Sequence, residues 1–231
     1  MNLSATHATK ELQVQNTARK ILLICGILSS LLYVTADVLA AMKWEGYSYI
    51  NQAVSELSAI GAPTRPLIVA LFSIYNVLVI AFAIGVWPSV GKKRFLRIAA
   101  IMLVIYAVIG EVTLLFSPMN LRGSAMAAND VGHITLTAVE VLSIVLFMAF
   151  GSGADGKWFR VYSIATIVTL MVAGILTGML STQMTAEAAS TPWAGVAERV
   201  NIYGTMLWIL VLALTLLNIG KESTSISSSE G

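Results

Sequence analysis

Hydrophobic positions along the chain gather into six long runs divided by short polar segments: Ile21 to Ala41, Leu67 to Trp87, Ile98 to Phe116, Val131 to Phe150, Val161 to Leu180 and Val200 to Ile219. A helix rises ~1.5 Å per residue, so about 20 apolar residues cross a hydrocarbon core of ~30 Å, which is close to the length of every run. The pattern predicts an all-α polytopic membrane protein. Its single domain is a six-transmembrane-helix bundle over residues 21–219, between polar tails at 1–20 and 220–231 that are expected to be disordered. In the first outer loop, Tyr49, Ile50, Ala53, Val54 and Leu57 recur at helical spacing after Ser48, a competent N-cap, and Gly61-Ala62-Pro63 ends the pattern. That spacing predicts a short amphipathic helix at the membrane interface, serving either as a plain connector or as a lid.

Composition agrees: 57% apolar and 11% charged residues, with a mean hydropathy of +0.82, would leave a soluble domain coated in exposed hydrocarbon. The lone Cys25 excludes an intrachain disulfide and reads as a packing residue. Asp37 near the end of the first run, and the length of that run, favour a retained helix over a cleaved signal peptide.

Charge sets the expected orientation. Lys10, Arg19, Lys20, Lys92, Lys93, Arg94, Arg97, Lys157, Arg160 and Lys221 fall on the side of both termini, against Lys43, Arg65, Arg122 and Arg199 on the other. The positive-inside rule places both termini in the cytoplasm and the three longer loops outside. The net charge of +2 then reflects topology and gives no support to nucleic-acid binding.

Polar residues inside the runs concentrate towards the outer side. At ~1.5 Å per residue, Asp37 and Glu111 lie ~7 to 8 Å from the outer ends of their helices, and Asn76 and Glu140 ~13 to 14 Å. His133 opens the fourth helix and shares a face with Thr137 and Glu140; Ser30, Tyr33 and Asp37 share one on the first helix, Ser73 and Asn76 one on the second. A carboxylate is costly in hydrocarbon, so such groups turn inward, pair, or take up a proton. The set Asp37, Asn76, Glu111, His133, Thr137 and Glu140 therefore reads as an outward-opening pocket. Plain interhelical hydrogen bonding is the alternative, but Asn and Thr already suffice for that.

No complete catalytic or cofactor motif accompanies this set. One membrane histidine is too few for a recognisable zinc site, paired haem histidines are absent, and no phosphate-binding loop occurs in the short basic loops. No metal or cofactor is specified. Gly174 and Gly178 form a small-x-x-x-small pair suited to packing within the bundle or to a homodimer contact.

The stretch Gly46-Tyr47-Ser48-Tyr49-Ile50-Asn51-Gln52-Ala53-Val54-Ser55-Glu56-Leu57-Ser58-Ala59-Ile60-Gly61-Ala62-Pro63 resembles the first-loop signature of an uncharacterised six-helix membrane family, domain of unknown function 998. Ser117-Pro118, His133 and Gly195-Val196-Ala197-Glu198-Arg199, leading into Ile202-Tyr203 and Trp208, fit the same resemblance across all six helices. Met119-Asn120-Leu121-Arg122 stands where that family usually has an acid. The resemblance implies a six-helix fold and a bacterial or archaeal cytoplasmic membrane, and no particular activity. Ser55-Glu56, Gly61, Pro63 and Phe72 are also similar in order to Frag1/DRAM/Sfk1-type membrane proteins, some linked to lipid organisation.

Together these features point to binding, with or without modification, of a lipid or amphiphile. Arg122 or Arg199 would hold an anionic headgroup, and His133 with Glu140 would exchange protons or orient a water. Two alternatives stay open. One is a small proton-coupled transporter using Asp37, Glu111 and Glu140; the other is a non-catalytic membrane partner or assembly protein that works through its outer loops.

Overall fold

A computed structural model describes residues 3–87, 94–184 and 191–229. Lys92 and Lys93, counted in the charge balance, lie outside the described residues. Among the described residues the chain forms six α-helices: α1 (Leu3–Lys43), α2 (Arg65–Val86), α3 (Arg94–Phe116), α4 (Ala128–Gly151), α5 (Lys157–Met184) and α6 (Ala194–Ser229). Each contains a segment long and apolar enough to cross a membrane, from Gln13–Lys43 in α1 to Ala194–Gly220 in α6. The protein is an integral membrane protein, and every backbone polar group in a span is satisfied by the helix itself.

Successive helices pack side by side and α6 returns against α1, so the bundle closes into a ring. The ring is uneven. Contact is close at α1–α2, α2–α3, α3–α4, α5–α6 and α6–α1, but sparse between α4 and α5, which are joined by a short turn at the termini side and spread apart beyond it.

Two cores divide the bundle by depth. On the termini side, Leu23, Phe82, Leu96, Phe147, Phe159, Trp208 and Leu212 form a filled aromatic and aliphatic centre, with Trp208 Nε1 donating to Ser163 Oγ at 2.9 Å. On the long-loop side, Ala36, Ala40, Ile68, Phe72 and Leu114 pack around Val54 and Leu57 of the first loop. Glycines set the helix spacing in the first core. A Cβ on Gly85 would lie 2.8 Å from Leu22 Cβ and 3.0 Å from the α1 backbone, and one on Gly26 would meet the Phe82 ring at 2.6 Å.

The first loop departs from its helical spacing. Ser48 does start a turn, accepting from Asn51 N–H on its hydroxyl at 3.3 Å while Gln52 Oε1 accepts from its own N–H at 2.7 Å. The helix realised, however, is a single 3₁₀ turn at Ser55–Ser58. Burial explains the difference: Val54 and Leu57 plug into the second core, which pulls the segment inward and leaves Tyr49 and Ile50 partly exposed. Gly61, at φ +87°, then reverses the chain so that Ile60 N–H reaches the Met119 carbonyl at 2.9 Å. The tails differ too, since α1 begins at Leu3 and α6 runs to Ser229. Residues 3–20 contain no Gly or Pro and continue a helix already nucleated by the span, as do residues 221–229.

Gly85→Val is expected to destabilise the fold by about 1–3 kcal/mol through overpacking of α1 against α2. Gly153→Ala, where a Cβ meets nothing within 4 Å, is expected to be neutral. Thermal unfolding of both variants in the same detergent checks this.

Candidate functional site

The polar residues of the long-loop side fall into two groups, and the first belongs to a set of locks. Asp37, at the end of α1, is fully buried against Arg199 in the first turns of α6. The guanidinium meets the carboxylate through two parallel bonds, Nε to Oδ2 and Nη2 to Oδ1, both 2.8 Å. Its remaining N–H groups reach the carbonyls of Tyr49 (2.7 Å), Gln52 (3.0 Å) and Gly195 (3.3 Å) and the Tyr47 hydroxyl (2.9 Å). The Tyr49 ring lies 3.6 Å below the guanidinium. Tyr203 and Tyr49 hydroxyls also donate to Asp37. Burial raises the Tyr47 phenol above its ordinary range despite the opposing pull of Arg199, so it stays protonated and donates to the Ala53 carbonyl at 2.7 Å.

Glu198, one residue earlier, points about 100° away around α6. Its carboxylate accepts from the backbone N–H groups of Val54 and Ser55, capping the start of the 3₁₀ turn rather than pairing with Arg199. A second ion pair ties the loops together: Arg122 meets Glu56 at 2.7 and 3.2 Å, Thr191 Oγ1 at 2.6 Å and the Asn51 carbonyl at 3.2 Å. Gly195 makes the approach feasible. A Cβ there would fall on the Gln52 carbonyl and 2.6 Å from that of Tyr49. Ser55, Glu56, Arg122, Glu198 and Arg199 are thus engaged within the protein. The N–H donors of Arg199, one of the two arginines considered for a headgroup, are all used within the protein, and Arg122, the other, is paired with Glu56.

The second group surrounds a cavity of ≈ 540 Å³ that runs from the loops to mid-depth, with walls that are mainly apolar. Asn76, His133, Thr137 and Glu140 line it, together with Glu198 and Asp130. Asp37 does not, being sealed in its ion pair. Glu111 sits behind the wall, accepting from Ser73 Oγ at 2.7 Å and from Asn76 Nδ2 at 2.9 Å. Asp130 is likewise occupied, taking Asn120 N–H and Nδ2 at 2.7 Å each and Ala127 N–H at 2.9 Å; it brings an acid to the loop where Met119 to Arg122 has none. Among the described residues Glu140 has one hydrogen-bond partner, Thr113 Oγ1 at 2.9 Å, a hydroxyl that also lies 2.8 Å from the Ile109 carbonyl.

His133 Nδ1 lies 3.1 Å from the Ser117 carbonyl, which can only accept, so Nδ1 carries a proton and Nε2 is the nitrogen left for the cavity. Two helical turns, ~10.5 Å of rise, separate His133 from Glu140. They act at different depths rather than as one acid–base pair. Among the described residues no three His, Cys, Asp or Glu side chains converge as a metal-ligand set.

Tyr33, which the sequence places on one face with Ser30 and Asp37, also lines the cavity, as do Tyr75, Tyr106 and Thr113, which sequence reasoning missed. Tyr75 and Tyr106 are joined hydroxyl to hydroxyl at 2.9 Å. Their signal was available: tyrosines in mid-span need polar partners. Of the α5 glycines, Gly174 faces α6, where Asn201 accepts its N–H at 2.8 Å and donates to the Leu170 carbonyl at 3.2 Å once its amide is turned to satisfy both. Gly178 lines the cavity.

A family model described as protein of unknown function (DUF998) matches residues 27–215, and the chain belongs to that family. No curated protein and no solved structure matches it.

Removing one partner of the buried Asp37–Arg199 pair strands the other, and the expected cost is about 3–5 kcal/mol for Asp37→Asn or Arg199→Ala. Arg199→Lys is expected to fail as well, because a single ammonium cannot make the paired bonds. Yield of monodisperse protein and thermal midpoint are the readouts.

Proposed function

We propose that this DUF998 membrane protein binds an amphiphile, a membrane lipid or a molecule of like character, in the cavity between α4, α5 and the rest of the ring. One observation carries the reading: a ≈ 540 Å³ space with largely apolar walls and a few convergent polar groups at membrane depth. That size and lining fit a ligand with an apolar body and a small polar end. The spread of α4 from α5 supplies a side entrance from the bilayer, since Ile134 and Ala138 of α4 and Ile175 and Gly178 of α5 line the cavity and are also exposed. The distribution of Lys and Arg supports an orientation with both termini cytoplasmic and this entrance in the outer leaflet.

In this reading His133 Nε2 meets the ligand near the loops, while Asn76, Thr137 and Glu140 receive its deeper polar atoms. The locked first loop, through Ser55 and Ser58, roofs the site. The proposal is one of binding.

Native mass spectrometry of the gently extracted protein tests it. The wild type is expected to retain an amphiphile of defined mass. Ala138→Trp, which fills the cavity from an exposed position, is expected to lose it with little change in thermal midpoint. His133→Ala, which removes one hydrogen bond, is expected to lower occupancy about three- to tenfold. A folded wild type that is empty, or equal retention in Ala138→Trp, would overturn the proposal.

A further inference from the structure

The cavity is acidic and aromatic, and His133 is the one basic side chain among its described lining residues. Among the residues lining it, Asp130, Glu140 and Glu198 are acids and none is Lys or Arg. Of the arginines on this side, Arg122 and Arg199 are turned to Glu56 and Asp37, and Arg65 to the carbonyls of Ser58 and Leu114, behind two residues of the lining. Asp130 and Glu198 are each met by backbone N–H groups, which leaves Glu140 as the lining carboxylate with least compensation: a single hydroxyl, on one oxygen. Depth makes that shortage matter, because a carboxylate in hydrocarbon without a donor or a counter-charge is poorly solvated.

Aromatic rings line the cavity as well. Tyr33, Phe72, Tyr75 and Tyr106 line the cavity; Tyr33 stacks on Phe72 at 4.2 Å and meets Tyr75 edge-on at 4.9 Å. The negative face of an aromatic ring attracts a cation, most strongly where water is excluded. A carboxylate opposite a group of rings is the chemistry that receives an alkylammonium, whereas an anionic headgroup would find repulsion and no strong donor.

We propose that the cavity selects cationic amphiphiles, with an ammonium group held between Glu140 and the aromatic cluster of Tyr33, Phe72, Tyr75 and Tyr106, and an apolar tail lying along the α4–α5 gap. This rests on the amphiphile-binding reading and adds the sign of the headgroup. Two sources share that chemistry, a single-chain hydrophobic amine and a two-chain lipid with an amine head.

The experiment is binding to the full-length protein in neutral maltoside detergent, read by native mass spectrometry. The matched probes are decyltrimethylammonium, decanol and decanoate, and dioleoyl-trimethylammonium-propane serves as the two-chain arm. Decyltrimethylammonium is expected to bind at least tenfold more tightly than decanoate. Glu140→Gln, which keeps the volume and the Thr113 contact, is expected to reduce cation binding about tenfold and so to narrow or abolish the preference for decyltrimethylammonium over decanol. Thr137→Lys, at a position already exposed to the cavity, is expected to reverse the preference towards decanoate. The two cationic arms rank the sources, since selective retention of the two-chain probe assigns the site to a lipid and retention of the single-chain probe alone to a soluble amine. Equal binding of all probes, unaltered by Glu140→Gln or by Thr137→Lys, would overturn the charge selectivity and leave amphiphile binding standing. Preference for decanoate in the wild type would also overturn it. Absence of every probe from a folded wild type would overturn both readings.

Discussion

The arrangement of the long-loop side depends on one buried ion pair, Arg199 with Asp37. The carboxylate ends α1 and the guanidinium begins α6, so the bond closes the ring of helices between its first and last members. Taking two charges out of water is unfavourable unless every donor and lone pair is met. Here the guanidinium is met by carboxylate, carbonyls and a phenol, and the carboxylate by two tyrosine hydroxyls as well. Those carbonyls belong to the first loop, so the charge that closes the ring also draws the loop down over it. Glu198 then reaches the same loop from the next position of α6 and caps its 3₁₀ turn. Two adjacent residues thereby fix two faces of one loop, and Gly195 provides the clearance both need.

With the loop fixed, the polar side chains separate by how completely they are satisfied. Asp37, Glu56, Glu111, Asp130, Arg122 and Arg199 meet several protein partners each. Glu140 and the outward nitrogen of His133 do not, and they face the cavity. In a low-dielectric setting the difference is decisive: a saturated network holds a structure rigid, while an underserved carboxylate is where an external donor or cation gains most. The residues that position the site and the residues available to a ligand are therefore distinct sets.

The six crossings were legible in the sequence because bilayer thickness imposes a one-dimensional rule on run length. Span limits fell within a few residues of the helices, apart from the helical tails. The candidate site was legible only in part. Asn76, His133, Thr137 and Glu140 line the cavity as their shared faces imply, but Asp37 is withdrawn by Arg199, a partner 162 positions away that hydropathy cannot reveal. Arg122 and Glu56 are joined across 66 positions in the same manner. The first-loop spacing marked Ala53, Val54 and Leu57 as apolar positions that are in fact buried, while Tyr49 and Ile50 stay exposed, and Val54 and Leu57 are buried by insertion into the bundle rather than by lying on a membrane surface. Tyr75 and Tyr106 were hidden because tyrosine reads as apolar in a span until its hydroxyl is given a partner.

Depth finally separates binding from passage. The polar lining begins at the roof of Ser55 and Ser58 and reaches Tyr106 and Thr205 near mid-span. Beyond that level the bundle is filled by the packed side chains of Phe82, Phe147, Phe159, Trp208 and Leu212. Translocation would require those side chains to part, and with them the α1–α2 contact, where Gly26 and Gly85 bring the helices too close to slide past bulkier neighbours. The α4–α5 gap needs no such rearrangement. Under the proposed reading a ligand would enter there from lipid, meet the rings and Glu140, and leave by the same way.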